Sequence, residues 1–101
     1  MPIHIQSVEE FDKEISSGKV LLDFFATWCG PCKMLSPVIE ELAKERTDVK
    51  FLKVDVDEIP QLAAKYAVYS IPTLIYIEDG KELRKRLGYA PKPAIEKFLN
   101  E

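Results

Sequence analysis

Apolar and polar positions along the chain switch repeatedly between a period of two and a period near 3.6, the signatures of strand and helix. Ile3 and Ile5 flank one residue and predict a short edge strand. Ser7-Val8-Glu9-Glu10 fits a capping box, with Ser7 at the N-cap and Glu10 three residues on. Val8, Phe11 and Ile15 then share one face of a short helix that Ser16-Ser17-Gly18 ends. Val20 to Phe25 is a near-continuous apolar run, which suits a strand covered on both faces. Met34, Leu35, Val38, Ile39, Leu42 and Ala43 recur at helical spacing, and the helix is expected to run to about Arg46. Pro37 lies inside it and predicts a kink, because it has no N–H to bond back to Lys33.

Val49 to Val56 predicts a second buried strand, closing a βαβ unit over residues 20–56. Pro60 opens a helix to about Tyr66. Thr73 to Ile77 is β-branched and aromatic, hence strand. Glu78-Asp79-Gly80-Lys81 carries the Asp-Gly hairpin dipeptide, and Leu83 to Gly88 is the returning strand. Pro93 to Asn100 closes as a helix with Ile95, Phe98 and Leu99 on one face. Together these predict an α/β fold with a mixed central sheet and helices on both faces.

Composition narrows the function classes. With 101 residues, residues 1–101 make one domain that buries roughly 65% of its unfolded surface. The core therefore needs no disulfide or metal staple. Fourteen basic against 17 acidic residues give a net charge of -3, so no strong footprint for nucleic acid or an anionic membrane is present. The N-terminus, Met1-Pro2-Ile3-His4-Ile5, has neither the basic region nor the apolar run of a secretory signal, and the expected location is the cytoplasm. Two cysteines and one histidine are too few for a disulfide framework, and they fall short of a four-ligand zinc site.

The two cysteines stand in Trp28-Cys29-Gly30-Pro31-Cys32, between the first buried strand and the longest helix. A helix N-terminus carries unpaired N–H groups and about half a positive charge. A thiolate placed there has a lowered pKa and is a competent nucleophile. Two cysteines three apart at a helix start can also close a small disulfide ring. The competing readings are inert core thiols or metal ligands. A Cys-x-x-Cys spacing beside a βαβ unit weighs toward redox chemistry.

These residues resemble the thioredoxin family closely. The matching positions are Asp23-Phe24-Phe25-Ala26, Trp28 to Lys33, Pro37, Lys53-Val54-Asp55, Ile71-Pro72-Thr73 and Gly88, across residues 3–99. The resemblance implies a thioredoxin fold, a central mixed five-stranded sheet flanked by four helices. It implies a protein disulfide oxidoreductase in which Cys29 attacks a client disulfide and Cys32 resolves the mixed disulfide. Disulfide-containing client proteins, and an NADPH-dependent flavoprotein thioredoxin reductase that recharges the oxidised pair, are the implied partners. The domain itself would carry no cofactor and is expected to be a monomer.

The resemblance also assigns supporting residues. Asp23 interrupts an apolar strand, and burial should raise its pKa. The family's matching acid moves a proton to or from the resolving thiol, here Cys32, directly or through a water. Lys53 matches the basic partner of that acid and would pull the pKa back down. Ile71-Pro72 matches a cis bond facing the cysteines, with the Ile71 backbone open to an extended client segment. Trp28, Gly30, Pro31, Ile71, Pro72 and Gly88 would form a flat apolar docking face. For Trp28 a core position is the plainer alternative, and for Gly88 an ordinary turn. Arg84-Lys85-Arg86 reads most simply as charges that protect a sheet edge. The chain departs from the family at Tyr69-Ser70, where basic or glycine residues are frequent, at Tyr89, where a small residue is common, and at Phe25, often tryptophan. A dedicated oxidant or isomerase, and a redox-independent binding module, are the other function classes that share this fold.

Overall fold

A computed structural model describes residues 1–101. The order is β1 (Ile3–His4), α1 (Val8–Glu14), β2 (Lys19–Phe25), α2 (Gly30–Glu45), β3 (Val49–Asp55), α3 (Pro60–Lys65), β4 (Thr73–Glu78), β5 (Lys81–Leu87) and α4 (Lys92–Asn100). The strands form one five-stranded sheet in the order β1-β3-β2-β4-β5. β1, β3 and β2 run parallel, whereas β4 is antiparallel to β2 and to β5. This is the expected mixed sheet with four helices, and β1 is an edge strand as its two-residue length suggests.

The caps follow the local chemistry. Ser7 Oγ accepts the Glu10 N–H at 3.1 Å, and Glu10 Oε1 accepts the Gln6 N–H at 2.7 Å. The second bond lands one residue before the N-cap N–H of a standard capping box. Asp79 and Gly80 both have positive φ, 50° and 84°, the geometry that an Asp-Gly hairpin turn requires. Asp79 also ties that turn to the start of β2. Its Oδ1 accepts the Gly18 N–H at 2.8 Å, and its own N–H donates to the Gly18 carbonyl at 2.9 Å.

Central strands are covered on both sides, as their unbroken apolar runs demand. On one face Val20, Leu22, Phe24, Leu52, Val54 and Ile75 pack with Phe11 of α1 and Leu62 of α3. On the other Leu21, Phe51, Leu74 and Tyr76 pack with Leu35, Ile39 and Leu42 of α2 and Ile95, Phe98 and Leu99 of α4. Each fully buried aliphatic or aromatic side chain contributes about 1.5–3 kcal/mol by transfer from water. Alternation places Asp23 and Lys53, paired in register on β2 and β3, on the α2 face beyond Leu21 and Phe51.

Two expectations need correction. Met34 is 61% exposed rather than facing the core, because it stands about 100° around α2 from Leu35, which with Ile39 and Leu42 packs on the sheet. Pro37 lies inside α2, which spans Gly30–Glu45. Arg84 is not a plain edge charge. Its guanidinium donates to the Phe98 and Leu99 carbonyls at 2.8 and 3.2 Å and lies 4.3 Å from the Tyr76 ring centre, so it caps α4. Lys85 likewise donates to the Tyr66 carbonyl at 2.7 Å, just past α3.

Candidate functional site

The site sits at the carboxyl end of β2, where the chain leaves the sheet and turns into α2. Cys29 is the N-cap of α2 and has extended φ/ψ. Its sulfur accepts the Cys32 N–H at 3.2 Å. No acidic residue stands in the first turn of α2, so nothing local cancels the positive end of the helix. The sulfur that would carry negative charge is thus the one held by a backbone N–H at a helix start.

Cys29 and Cys32 are joined as a disulfide, with Cα atoms 5.2 Å apart, inside the normal range for such a bond. Both residues are buried, and Ala26 packs with them, with Phe25, Val56 and Ile71 alongside.

The Ile71–Pro72 bond is cis, as the resemblance implied. The Ile71 carbonyl oxygen lies 3.8 Å from Cys29 Sγ. β4 begins only at Thr73, so the Ile71 backbone stands outside the sheet ladder. Thr73 Oγ1 donates to the Ser70 carbonyl at 2.6 Å, which pins the loop that presents Ile71.

Trp28 is 68% exposed, which removes the core alternative for it. Its indole N–H donates to Asp57 Oδ2 at 2.8 Å. Asp57 is held in turn, since its N–H donates to Asp55 Oδ1 at 2.8 Å just past β3. Asp57 was not foreseen. Nothing in its local sequence marks it, because its partner is 29 residues away in the chain. Trp28, Val56, Val68, Tyr69, Ser70 and Ile71 line a mostly apolar cleft of about 170 Å³.

The expected docking face is only partly flat and open. Trp28, Gly30 and Pro31 are exposed and Ile71 and Gly88 half-buried, but Pro72 is buried beneath them. A Cβ at Gly30 would meet nothing within 4 Å, so no neighbour inside the fold demands glycine there. Gly88 has φ +82° with open space beside it, and its N–H donates to the Pro72 carbonyl at 2.8 Å. The turn itself therefore favours glycine, and the space leaves room for an approaching chain.

On β2, Asp23 is 4% exposed, and its Oδ1 has no hydrogen-bond partner. Burial pushes its carboxyl from the ordinary 3.8 to about 6, and the Lys53 charge pulls it only part of the way back. Desolvation thus wins the contest that the sequence left open. The Lys53 ammonium rests 4.6 Å from the Phe25 ring centre. A second cleft, of about 220 Å³, is lined by Phe25, Ala26, Thr27, Cys32, Lys33, Ser36 and Lys53. The roomiest cleft, about 300 Å³, is lined by His4, Gln6 and Glu58 and contains neither cysteine.

The family model for thioredoxin matches residues 2–101. The chain belongs to the thioredoxin family. It is 50% identical to a thioredoxin of Chlamydia trachomatis over 99 residues, covering 98% of this chain and 97% of that one. It is 48% identical to a Bacillus subtilis thioredoxin over 94 residues, covering 92% and 90%. Among solved structures, a Plasmodium falciparum thioredoxin superposes with a TM-score of 0.92 at 37% identity, covering 97% and 96%. The oxidised mitochondrial thioredoxin 3 of Saccharomyces cerevisiae superposes at 0.90 with 38% identity, covering 98% and 93%.

The thioredoxin fold is therefore present, and the protein is a thiol–disulfide oxidoreductase that reduces protein disulfides through the Cys29–Cys32 pair. Disulfide-bearing clients and a recycling reductase are the general partners of this family. No helix is long and apolar enough to cross a membrane.

Proposed function

We propose that the protein is a general reductant of protein disulfides, with Cys29 as the attacking thiolate and Cys32 as the resolving thiol. The observation that carries this reading is the Cys32 N–H bonded to Cys29 Sγ at the start of α2, beside the Ile71 carbonyl. The reduced Cys29 thiolate would keep that bond and the helix field. It attacks a client sulfur and forms a mixed disulfide. Cys32 then attacks Cys29, the client leaves as a thiolate, and the intramolecular disulfide returns.

The other roles follow from position. Asp23 accepts the proton of Cys32 during resolution and returns one during recharging, since a carboxyl at about 6 exchanges protons near neutral pH. Lys53 keeps that carboxyl from rising further. Trp28, Gly30, Pro31, Ile71 and Gly88 receive the client, whose extended backbone pairs with Ile71, and Pro72 supports that loop from beneath. Gly30-Pro31 between the cysteines favours a reductant over the oxidants of this fold, in which a stabilised reduced form is common. Residues 1–101 act as one domain, monomeric and cytoplasmic, recharged by an NADPH-dependent flavoprotein reductase and needing no cofactor of its own.

The test is an NADPH-coupled assay with a thioredoxin reductase and a disulfide-bonded protein client. NADPH consumption that requires both Cys29 and Cys32 is expected. No turnover at micromolar protein would overturn the general-reductant reading.

A further inference from the structure

The apolar cleft beside the reactive pair carries an aromatic side chain that the roles above leave unused. Tyr69 lines its space of about 170 Å³, facing the cleft with Trp28, Val56, Val68 and Ile71. Ile71 joins this cleft to the chemistry, since its carbonyl oxygen lies 3.8 Å from Cys29 Sγ. Tyr69 is 92% exposed, so the fold itself gains almost nothing from burying that ring. The backbone that presents it is nevertheless fixed on both sides. The Val68 N–H donates to the Ala63 carbonyl at 2.8 Å, and the Ser70 carbonyl accepts from Thr73 Oγ1 at 2.6 Å. A held loop that shows a bare aromatic ring needs little further ordering when a ligand binds.

Charge decides which side chain suits the cleft. No basic residue lines it. Lys65 of α3 lies 5.8 Å from the Phe11 and Tyr66 ring centres, and Lys85 donates to the Tyr66 carbonyl. Asp57 accepts the Trp28 indole N–H at 2.8 Å, which sets a carboxylate at the edge of a ring that lines the cleft. The ion pairs of the fold engage His4, Lys19, Arg46, Lys50 and Lys92, and none of them neutralises Asp57. Two aromatic rings, two valines and an unneutralised carboxylate suit a long cation. A guanidinium stacks flat on aromatic faces and also pairs with a carboxylate. Its methylene stem can lie along the valines. An aliphatic side chain would use the walls alone, and an acidic one would meet the charge of Asp57.

We propose that Tyr69 is a specificity-determining residue: with Trp28 and Asp57 it receives an arginine that stands two residues from the client's reacting cysteine. The inference rests on the client docking proposed above. An extended client turns every second side chain to the same surface, about 7 Å apart. A client cysteine held at Cys29 therefore points its second neighbour toward the surface where the cleft opens beside Ile71.

The experiment uses short peptides dimerised through a single cysteine, so that both sulfurs are equivalent. A residue two before the cysteine in one set, and two after it in another, is arginine, citrulline, leucine or glutamate. Reduced protein is mixed with each dimer, and loss of its two thiols is followed by acid quench, alkylation and mass spectrometry. Each rate is divided by that of a small thiol on the same dimer, which removes the peptide's own reactivity. In one of the two sets arginine should react roughly fivefold faster than citrulline, its uncharged isostere, with leucine and glutamate no faster than citrulline. Tyr69→Ala and Asp57→Asn should each cut that ratio to about twofold or less, whereas Tyr69→Phe should keep it, because the ring carries the contact. Asparagine still accepts the Trp28 N–H, so the indole stays anchored. An arginine-to-citrulline ratio near one in both sets overturns the proposal, as does leucine being the fastest. A ratio untouched by Tyr69→Ala, or one equal in both sets, also overturns it, since that is long-range steering by the net charge of -3. Failure of the reduced protein to lose its thiols to any dimer overturns the reductant reading and this inference together.

Discussion

Replacing Asp23 by asparagine tests the electrostatics of the site through stability alone. Asparagine keeps the shape and cannot ionise. A carboxyl raised from 3.8 to about 6 binds its proton more tightly in the folded protein than in the unfolded chain. Between those two values the folded state holds more protons, so stability falls as pH rises through that window. Below about pH 3 both states are protonated and the term vanishes, whereas above about pH 7 the penalty is complete. At about 1.4 kcal/mol per pKa unit, the full penalty is about 3 kcal/mol. At pH 4 it is only about 0.5 kcal/mol by the same relation.

Asparagine abolishes this pH-dependent cost, but it buries an amide beside an unpartnered position, at a constant cost of about 1–3 kcal/mol. The readout is therefore the change in the variant's relative stability between pH 4 and pH 7.5. Urea unfolding of the oxidised proteins should show Asp23→Asn gaining about 2.5 kcal/mol on wild type over that range. With typical urea slopes this moves the midpoint difference by about 1–2 M. A difference that stays constant with pH would refute the claim that burial, not Lys53, governs this carboxyl.

Lys53→Met removes the charge that lowers the Asp23 pKa, so the carboxyl should titrate above 6 in a carbon-detected NMR titration; an unmoved midpoint would show that the Lys53 field does not reach it. Asp57→Ala frees the Trp28 indole. Faster fluorescence depolarisation of Trp28 and client reduction slowed by about threefold or more should follow from losing a hydrogen bond worth about 1 kcal/mol, and rotation as slow as in wild type would contradict the anchoring. Arg84→Ala removes two bonds to the end of α4 and the stack on Tyr76, and should cost about 1–3 kcal/mol in denaturant unfolding. Hydrogen exchange should show α4 opening first; uniform protection would argue that Arg84 is only a surface charge.

All nine elements were legible from periodicity, because the central strands are near-continuous apolar runs and the turns carry Gly, Pro or Asp-Gly. Ends shifted by one or two residues. β5 starts at Lys81 rather than Leu83, since ladder pairing with Glu78 extends it where apolar pattern gives no sign. Hydrophobic spacing also misplaced Met34, because a residue at the margin of a helix's apolar stripe can face solvent while its neighbour Leu35 faces the core. The cysteine pair was legible because its chemistry is local: N-cap, helix start and thiol lie within four residues. Asp57 and the Arg84 cap escaped because their partners are 29 and 14–15 residues distant, and exposed charges carry no pattern that names a partner. The balance between burial and Lys53 at Asp23 needed the actual enclosure of the side chain, which no sequence spacing supplies.

The two-cysteine mechanism is tested most directly by Cys32→Ser. The reduced variant, mixed with a disulfide-bonded protein client, should accumulate a covalent adduct visible by mass spectrometry. That adduct should map to Cys29 and be released by added thiol, and Cys29→Ser should form none. Multiple-turnover client reduction by Cys32→Ser at the wild-type rate, or an absence of any adduct at Cys29, would contradict the account.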